Sequence, residues 1–306
     1  MRPLATAASF ARLLVLLALF APVHAAEPVV EPTTLIHAGT LLAIPGQAAR
    51  ARQTVVVRAG RIVAVADGYA SAADLGLANA SVIDQRERFV MPGLMDMHVH
   101  LTEPGGITPL AAHGDPALAD LHALIGAIQA ARATLRAGYT TVRNIGAAGS
   151  AMRALRAAID SGRIDGPRVR IAGAIISTIK EPDTVTCSGA DACRALVRAQ
   201  IDSGVDWIKI YATCSGGKPC GQRSAPGLWL PDELDAIVAT AHTRQIPVAA
   251  HAHGAAGMLA ALRAGVDSIE HGSFADDEAR RLMKQRGTFL VPTLAVYHTL
   301  REHGPR

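Results

Sequence analysis

The stretch Met91–Leu101, MPGLMDMHVHL, ends an apolar run with two histidines one residue apart. Side chains two apart on a strand share a face, so His98 and His100 point the same way, with Asp96 beneath them. Two neutral imidazoles placed like this can hold one metal ion between them, as zinc-like ions favour histidine. The same pair also suits two half-buried structural histidines, so the rest of the chain decides. Pro92 and Gly93 introduce the strand, and no glycine-rich phosphate fingerprint follows it.

Downstream, apolar strands alternate with helical segments. Strands are expected at GLMDMHV (93–99), TTVRNIG (140–146), RVRIAGA (168–174), WIKIYA (207–212), PVAAHAH (247–253), DSIEHG (267–272) and TFLVPTL (288–294). Helical patterns lie between them, one opening with Pro231 and the acidic Asp232, Glu233 and Asp235, which suit a helix N-terminus. Such alternation implies a parallel sheet with right-handed crossovers. The fold class is therefore α/β, a TIM-type (β/α)8 barrel with seven of its eight strands, occupying residues 89–306. Upstream, residues 26–88 carry short β-type runs with a hairpin turn at Ala59-Gly60, where Gly60 is free to take positive φ. They read as a small antiparallel, β-sandwich-like unit.

Bulk composition agrees with a large core: of 306 residues, 50% are hydrophobic and 18% charged. Residues 1–25 read as a secretory signal peptide, with Arg2 and Arg12 ahead of LLVLLALF and small residues up to Ala25. That apolar run is too short to cross a bilayer, so no stable membrane anchor is expected. The protein should be exported, to a periplasm or beyond. Removing Arg2 and Arg12 lowers the formal net charge from +4 to +2, and with aromatics at 4% nucleic acid is not an expected partner. Export also makes pairing the default for Cys187, Cys193, Cys214 and Cys220, with three connectivities open; Cys214 with Cys220 is expected, since so short a loop closes easily.

In a barrel of this kind chemistry sits at the C-terminal strand ends, where His98, His100, Lys209, His251, His253 and His271 all fall. Any one histidine suits a structural role; five with an inward lysine at one height are hard to obtain by chance. In DWIKIYA, alternation turns Ile208 and Ile210 toward helices and Trp207, Lys209 and Tyr211 inward. Burial there populates the neutral amine. A neutral amine reacts with carbon dioxide to give a carbamate, whose two oxygens can bridge two cations. The competing reading pairs Lys209 with a buried carboxylate such as Glu270.

Together MPGLMDMHVHL, GYTTVRNIG, DWIKIYATCSGG, VAAHAHG, DSIEHGS and FLVPTL resemble the amidohydrolase superfamily, specifically its imidazolonepropionase-like and Xaa-Pro dipeptidase-like metal-dependent hydrolases, over nearly all the chain after residue 25. The resemblance implies a composite, urease-like small domain and two divalent metal ions, usually zinc. It implies that His98 and His100 hold the first, carbamylated Lys209 bridges, His251 and His271 hold the second, and His253 stands just outside as a substrate-contacting group or alternative ligand. The reaction implied is hydrolysis of an amide or peptide C–N bond in a dipeptide or N-acyl amino acid, with Tyr211 a donor to the developing oxyanion. Lys180, Lys218 and Arg223 are candidates to meet a substrate carboxylate from the surrounding loops.

The chain departs from that pattern in two places: Cys214 and Cys220 stand in the loop after the fourth strand, and no eighth strand with its metal-binding aspartate follows VYHTLREHGPR. An unclosed barrel exposes strand edges, so the chain is expected to behave as a truncated, weakly active form prone to associate into homo-oligomers. Two other readings stay open: a mononuclear deaminase or cyclic-amide hydrolase of the same fold, and an inactive fragment.

Overall fold

The computed structural model describes residues 32–102, 116–147, 149–181, 184–214, 226–296 and 298. The chain divides at Pro92/Gly93 into two compact units. The first contains β1 (Thr33–Leu41), β2 (Arg50–Arg58), β3 (Arg61–Asp67) and β4 (Ser81–Val90) in one sheet of order β3-β2-β1-β4. β2 and β3 form the expected hairpin, with both Ala59 (φ 48°) and Gly60 (φ 71°) left-handed, as a turn matching strand twist requires. The unit is not wholly antiparallel, however, and it is a single sheet among the described residues. β4 runs parallel to β1 because the chain crosses over through a short 3-10 turn, Ala73–Leu75, before pairing on β1's other side.

The second unit alternates strand and helix: β5 (Leu94–Val99), α1 (Pro116–Arg136), β6 (Tyr139–Asn144), α2 (Ala151–Asp160), β7 (Arg168–Ile171), β8 (Ile175–Ser177), β9 (Thr184–Thr186), α3 (Ala190–Asp202), β10 (Ile208–Tyr211), α4 (Pro231–His242), β11 (Val248–Ala252), α5 (Ala255–Ala264), β12 (Ser268–His271), α6 (Asp277–Arg286) and β13 (Phe289–Val291). Every strand pairing in it is parallel. The strands form a three-stranded sheet, β5-β6-β7, and a six-stranded one, β13-β12-β11-β10-β8-β9, neither closed on itself among the described residues.

The strand expected over 168–174 ends at Ile171, and a further strand not expected from the sequence, β8, follows it. β7 pairs with β6 and β8 with β10, and the break falls at Gly173, whose φ is +63°. The backbone there turns to other partners: Gly173 accepts from Ala147 N at 2.8 Å and Ile171 accepts from Asp206 N at 2.8 Å. The strand expected over 288–294 is ladder-bonded only at Phe289–Val291, since Pro292 has no N–H to extend it.

Helix faces pack where periodicity puts their apolar residues. Val197 of α3, Leu234 and Ile237 of α4, Met258 and Leu262 of α5 and Met283 of α6 meet Ile208, Ile210, Val248 and Ile269 in one buried cluster. Ala127 and Ala131 of α1 and Met152 and Leu155 of α2 cover Val142, Val169 and Ile171 in another. These layers turn Ile208 and Ile210 toward helices and leave Lys209 on the opposite face. The acidic start of α4 acts as a cap: buried Glu233 accepts from Leu230 N at 3.0 Å and from Gly189 N at 2.7 Å. Cys187 and Cys193 are disulfide-bonded to each other. Cys214 is also in a disulfide, while Cys220, its expected partner, lies outside the described residues.

Candidate metal centre

Parallel register brings the chemistry-bearing residues to one level. Tyr211 on β10 is opposite His251 on β11, which is opposite Glu270 on β12. Lys209, two residues before Tyr211, faces the same way and is 1% exposed. The ring centroids of His98 and His100 are 5.4 Å apart, His98 and His271 4.9 Å, His251 and His271 4.6 Å, and His251 and His253 4.6 Å. The five histidines read from the sequence therefore form one continuous group.

Partners fix the rings. His98 Nδ1 bonds Glu270 Oε2 at 2.7 Å, His100 Nδ1 bonds the Gly146 carbonyl at 3.2 Å, His253 Nδ1 bonds Ser273 Oγ at 2.8 Å and His271 Nδ1 bonds Thr293 Oγ1 at 2.7 Å. Each of these bonds engages Nδ1, as in metal sites whose ligand tautomers are set by outer contacts. Gly146 cannot be another residue: its φ is +147°, and a Cβ would lie 2.6 Å from Ile175. Buried Asn144 completes that corner, accepting from Leu101 N at 2.7 Å and donating to the Gly146 carbonyl at 3.2 Å.

Strict alternation allows Glu270 or His271 to face inward, but not both. The left-handed conformation at His271, φ 70°, breaks the alternation and turns both toward the group. Glu270, 0% exposed, accepts from His98, Arg143 and Ser268. Its carboxyl lies well below the usual range: burial opposes ionisation, but the His98 bond and the charges of Lys209 and Arg143 overcome it. Thus Glu270, weighed in the sequence only as a partner for Lys209, is bound to His98 instead. Its detectable signal was an ionisable residue beside a histidine on a parallel strand, where both faces are normally apolar.

Lys209 is lowered to about 8, chiefly by burial, with the Glu270 charge opposing and the Arg143 charge adding to the shift. Burial and then the Lys209 charge lower His98 to about 4, and His251, His253 and His271 are lowered by the same two causes. The imidazoles are therefore neutral at neutral pH, the form that binds metal. His251 Nε2 is buried without a hydrogen-bond partner among the described residues. One ligand atom each from His251, His253 and His271 lies within 4.8 Å of the others, close enough to share an ion. An orphaned ring nitrogen among neutral nitrogen donors fits a zinc-like cation. His253, placed outside the ligand set by resemblance, stands here inside the tightest group of donors.

Of the other site residues, Tyr211 has its ring 4.8 Å from that of His251, and Lys180 is exposed on the loop after β8. Lys218 and Arg223 lie outside the described residues. Arg143, not singled out in the sequence, lies fully buried below His98.

Residues 89–306 match the model of the Amidohydrolase family. Ochratoxinase of Aspergillus niger is 31% identical over 301 residues, spanning 86% of this chain and 59% of that protein; the chain thus spans about three-fifths of the length of this curated relative. A crystal structure of a Xaa-Pro dipeptidase with bound methionine in the active site superposes with TM-score 0.75 and 35% identity, over 88% of this chain and 69% of that one. A prolidase complexed with N-methylphosphonate-L-proline does so with TM-score 0.76 and 30% identity, over 89% and 69%. With a matched model covering well over half its length and its histidines gathered as described, the chain belongs to the amidohydrolase family.

Proposed function

We propose that this chain carries the metal- and substrate-binding centre of a hydrolase that cleaves amide or peptide C–N bonds, with a dipeptide or N-acyl amino acid as substrate. The observation that carries this reading is the buried Nε2 of His251, without a partner among the described residues, set among neutral imidazoles beside buried Lys209. In this reading the two parallel sheets are arcs of a TIM-type barrel. Names of similar proteins support the bond type, since they include a Xaa-Pro dipeptidase and a prolidase.

His98 and His100 would hold one divalent ion, His251 and His271 a second, with Lys209 between them and His253 alongside. Bound there, the ions supply Lewis acidity for the scissile carbonyl and for an attacking water. Lys209 contributes as a neutral amine: its nitrogen adds to carbon dioxide, an N–C bond forms, one proton leaves to solvent, and the carbamate anion offers two oxygens. Tyr211 would donate to the oxyanion as the carbonyl carbon becomes tetrahedral. The Cys187–Cys193 disulfide supports export, and no described helix is long and apolar enough to cross a membrane.

The test is metal content with turnover. Zinc-reconstituted protein should hold about two equivalents and hydrolyse members of a panel of Xaa-Pro dipeptides and N-acyl amino acids. Lys209→Ala should lose the pair, while His253→Ala keeps most of it; equal retention in both variants would sink the carbamate assignment. The compact His251–His253–His271 group favours a second reading, a mononuclear deaminase or cyclic-amide hydrolase. It requires one equivalent of metal, lost in His253→Ala and kept in Lys209→Ala.

A further inference from the structure

Beneath the imidazoles lies a polar layer that the chemistry above does not use. Arg143 on β6 and Glu270 on β12 are 1% and 0% exposed, and Arg143 Nη2 donates to Glu270 Oε1 at 2.7 Å. The rest of the guanidinium is also engaged. Its Nε donates to the Met97 carbonyl at 2.6 Å, its Nη1 to Ser268 Oγ at 3.2 Å, and its plane sits 4.3 Å from the centroid of the Trp207 ring. Ser268 Oγ donates to the same Glu270 Oε1 at 2.6 Å. With Oε1 taken by two donors, Oε2 is the oxygen that meets His98 Nδ1, at 2.7 Å.

Stability alone is a poor reason for this arrangement, because desolvation of a buried ion pair commonly cancels its attraction and apolar residues of similar volume replace it at little cost. What the geometry does specify is His98. Glu270 Oε2 accepts a hydrogen bond from Nδ1–H, which keeps the proton on Nδ1, fixes the tautomer and leaves Nε2 as the nitrogen with the free lone pair. Meanwhile the Met97 carbonyl, one residue before His98, is held by the same guanidinium. Ring and backbone of His98 are thus both referred to Arg143.

We propose that Arg143 is a positioning residue of the metal centre, acting through Glu270 and the Met97 carbonyl to hold the His98 ring with its Nε2 aimed at the bound ion. The proposal rests on the reading of His98 as a ligand. A planar fork with several donors is needed to reach Met97, Ser268 and Glu270 together, so lysine, with the same charge on a single nitrogen, should not substitute.

The test compares zinc affinity, by competition with a chelating dye, in the wild type, Arg143→Lys and the double variant Arg143→Met with Glu270→Leu. Thermal unfolding of the metal-free proteins reports folding, and the visible spectrum of the cobalt-loaded forms reports ligand geometry. The double variant, which removes both members of the ion pair together, should unfold near the wild-type temperature, yet bind zinc about 10–100-fold more weakly and show a changed cobalt spectrum. Arg143→Lys should also lose affinity. A folded double variant with wild-type affinity and spectrum overturns the proposal; if the double variant does not fold, a folded Arg143→Lys with wild-type affinity does so. His98→Ala is the control: undiminished zinc binding there overturns the ligand reading itself, and this proposal with it.

Discussion

His271 and Thr293 both hold left-handed backbone, at φ 70° and 48°, and they bond each other through Nδ1 and Oγ1 at 2.7 Å. A residue with a Cβ in that region carries a cost of about 1–2 kcal/mol, more unwelcome still for β-branched threonine. Such strain persists where surrounding contacts over-determine it. Thr293→Val keeps the shape and the strain but removes the hydroxyl, and should weaken zinc binding about 10-fold, while Thr293→Ser restores it; dye competition on both variants decides the matter. Neutrality of the rings has its own consequence. His98 is held at about 4 by burial and then by the Lys209 charge, so between its unfolded value near 6.5 and that folded value the unfolded chain binds more protons. His251, His253 and His271 are shifted the same way. Stability of the metal-free protein should therefore fall as pH drops from about 6.5 toward 4, measured as the urea midpoint at each pH, and a flat profile would contradict the burial of these rings. The histidines and Lys209 were legible because their residue types recur at corresponding strand ends. Glu270 and Arg143 were not, because alternation assigns one face per residue and gives no warning that a left-handed turn at His271 turns its neighbour's face to the site as well.

Helix α2 begins without a side-chain cap of its own, Ser150 making none, and takes one from a neighbour instead. Asp120 on α1 accepts from Ser150 N and Ala151 N at 3.0 Å each and from the Ser150 hydroxyl. Burial opposes the ionised form of Asp120, but these bonds prevail and lower its carboxyl. Asp120→Ala should cost about 1 kcal/mol at neutral pH. Because the folded value is the lower one, the contribution is complete above the unfolded value of about 4 and fades as pH falls through the folded value, so the two proteins should converge in strong acid. A gap between their urea midpoints that persists at acid pH would show that the cap does not depend on the charge. The helix start at Pro231 could be read from the sequence, since proline and acidic residues identify an N-terminus locally. The separate strand β8 could not, because RVRIAGAIIS carries strand-forming residues on both sides of Gly173 and the choice of partner, β6 or β10, is made by distant parts of the chain.

At the scale of the molecule, alternation of strand and helix gave the parallel α/β class, whereas β4's parallel pairing in the first unit depends on a crossover that local pattern does not encode. Among the described residues β13 bonds only β12, and Phe289 and Leu290 on it are 71% and 46% exposed. An outer strand with apolar side chains and open backbone groups is a template for pairing. Sedimentation should show association that grows with protein concentration and diminishes in Phe289→Lys; a monomer at every concentration would refute this. One further consequence belongs to time rather than space. His98 and Glu270 meet at 2.7 Å across 172 residues of sequence, and contacts of such separation form late because their loop must close first. A growing chain that has not yet reached His271 already carries His98 and His100 but lacks the last histidine of the group. In the proposed reading the second ion would therefore wait for the strand that carries His271, and copies stopped short of it would not hold the full pair.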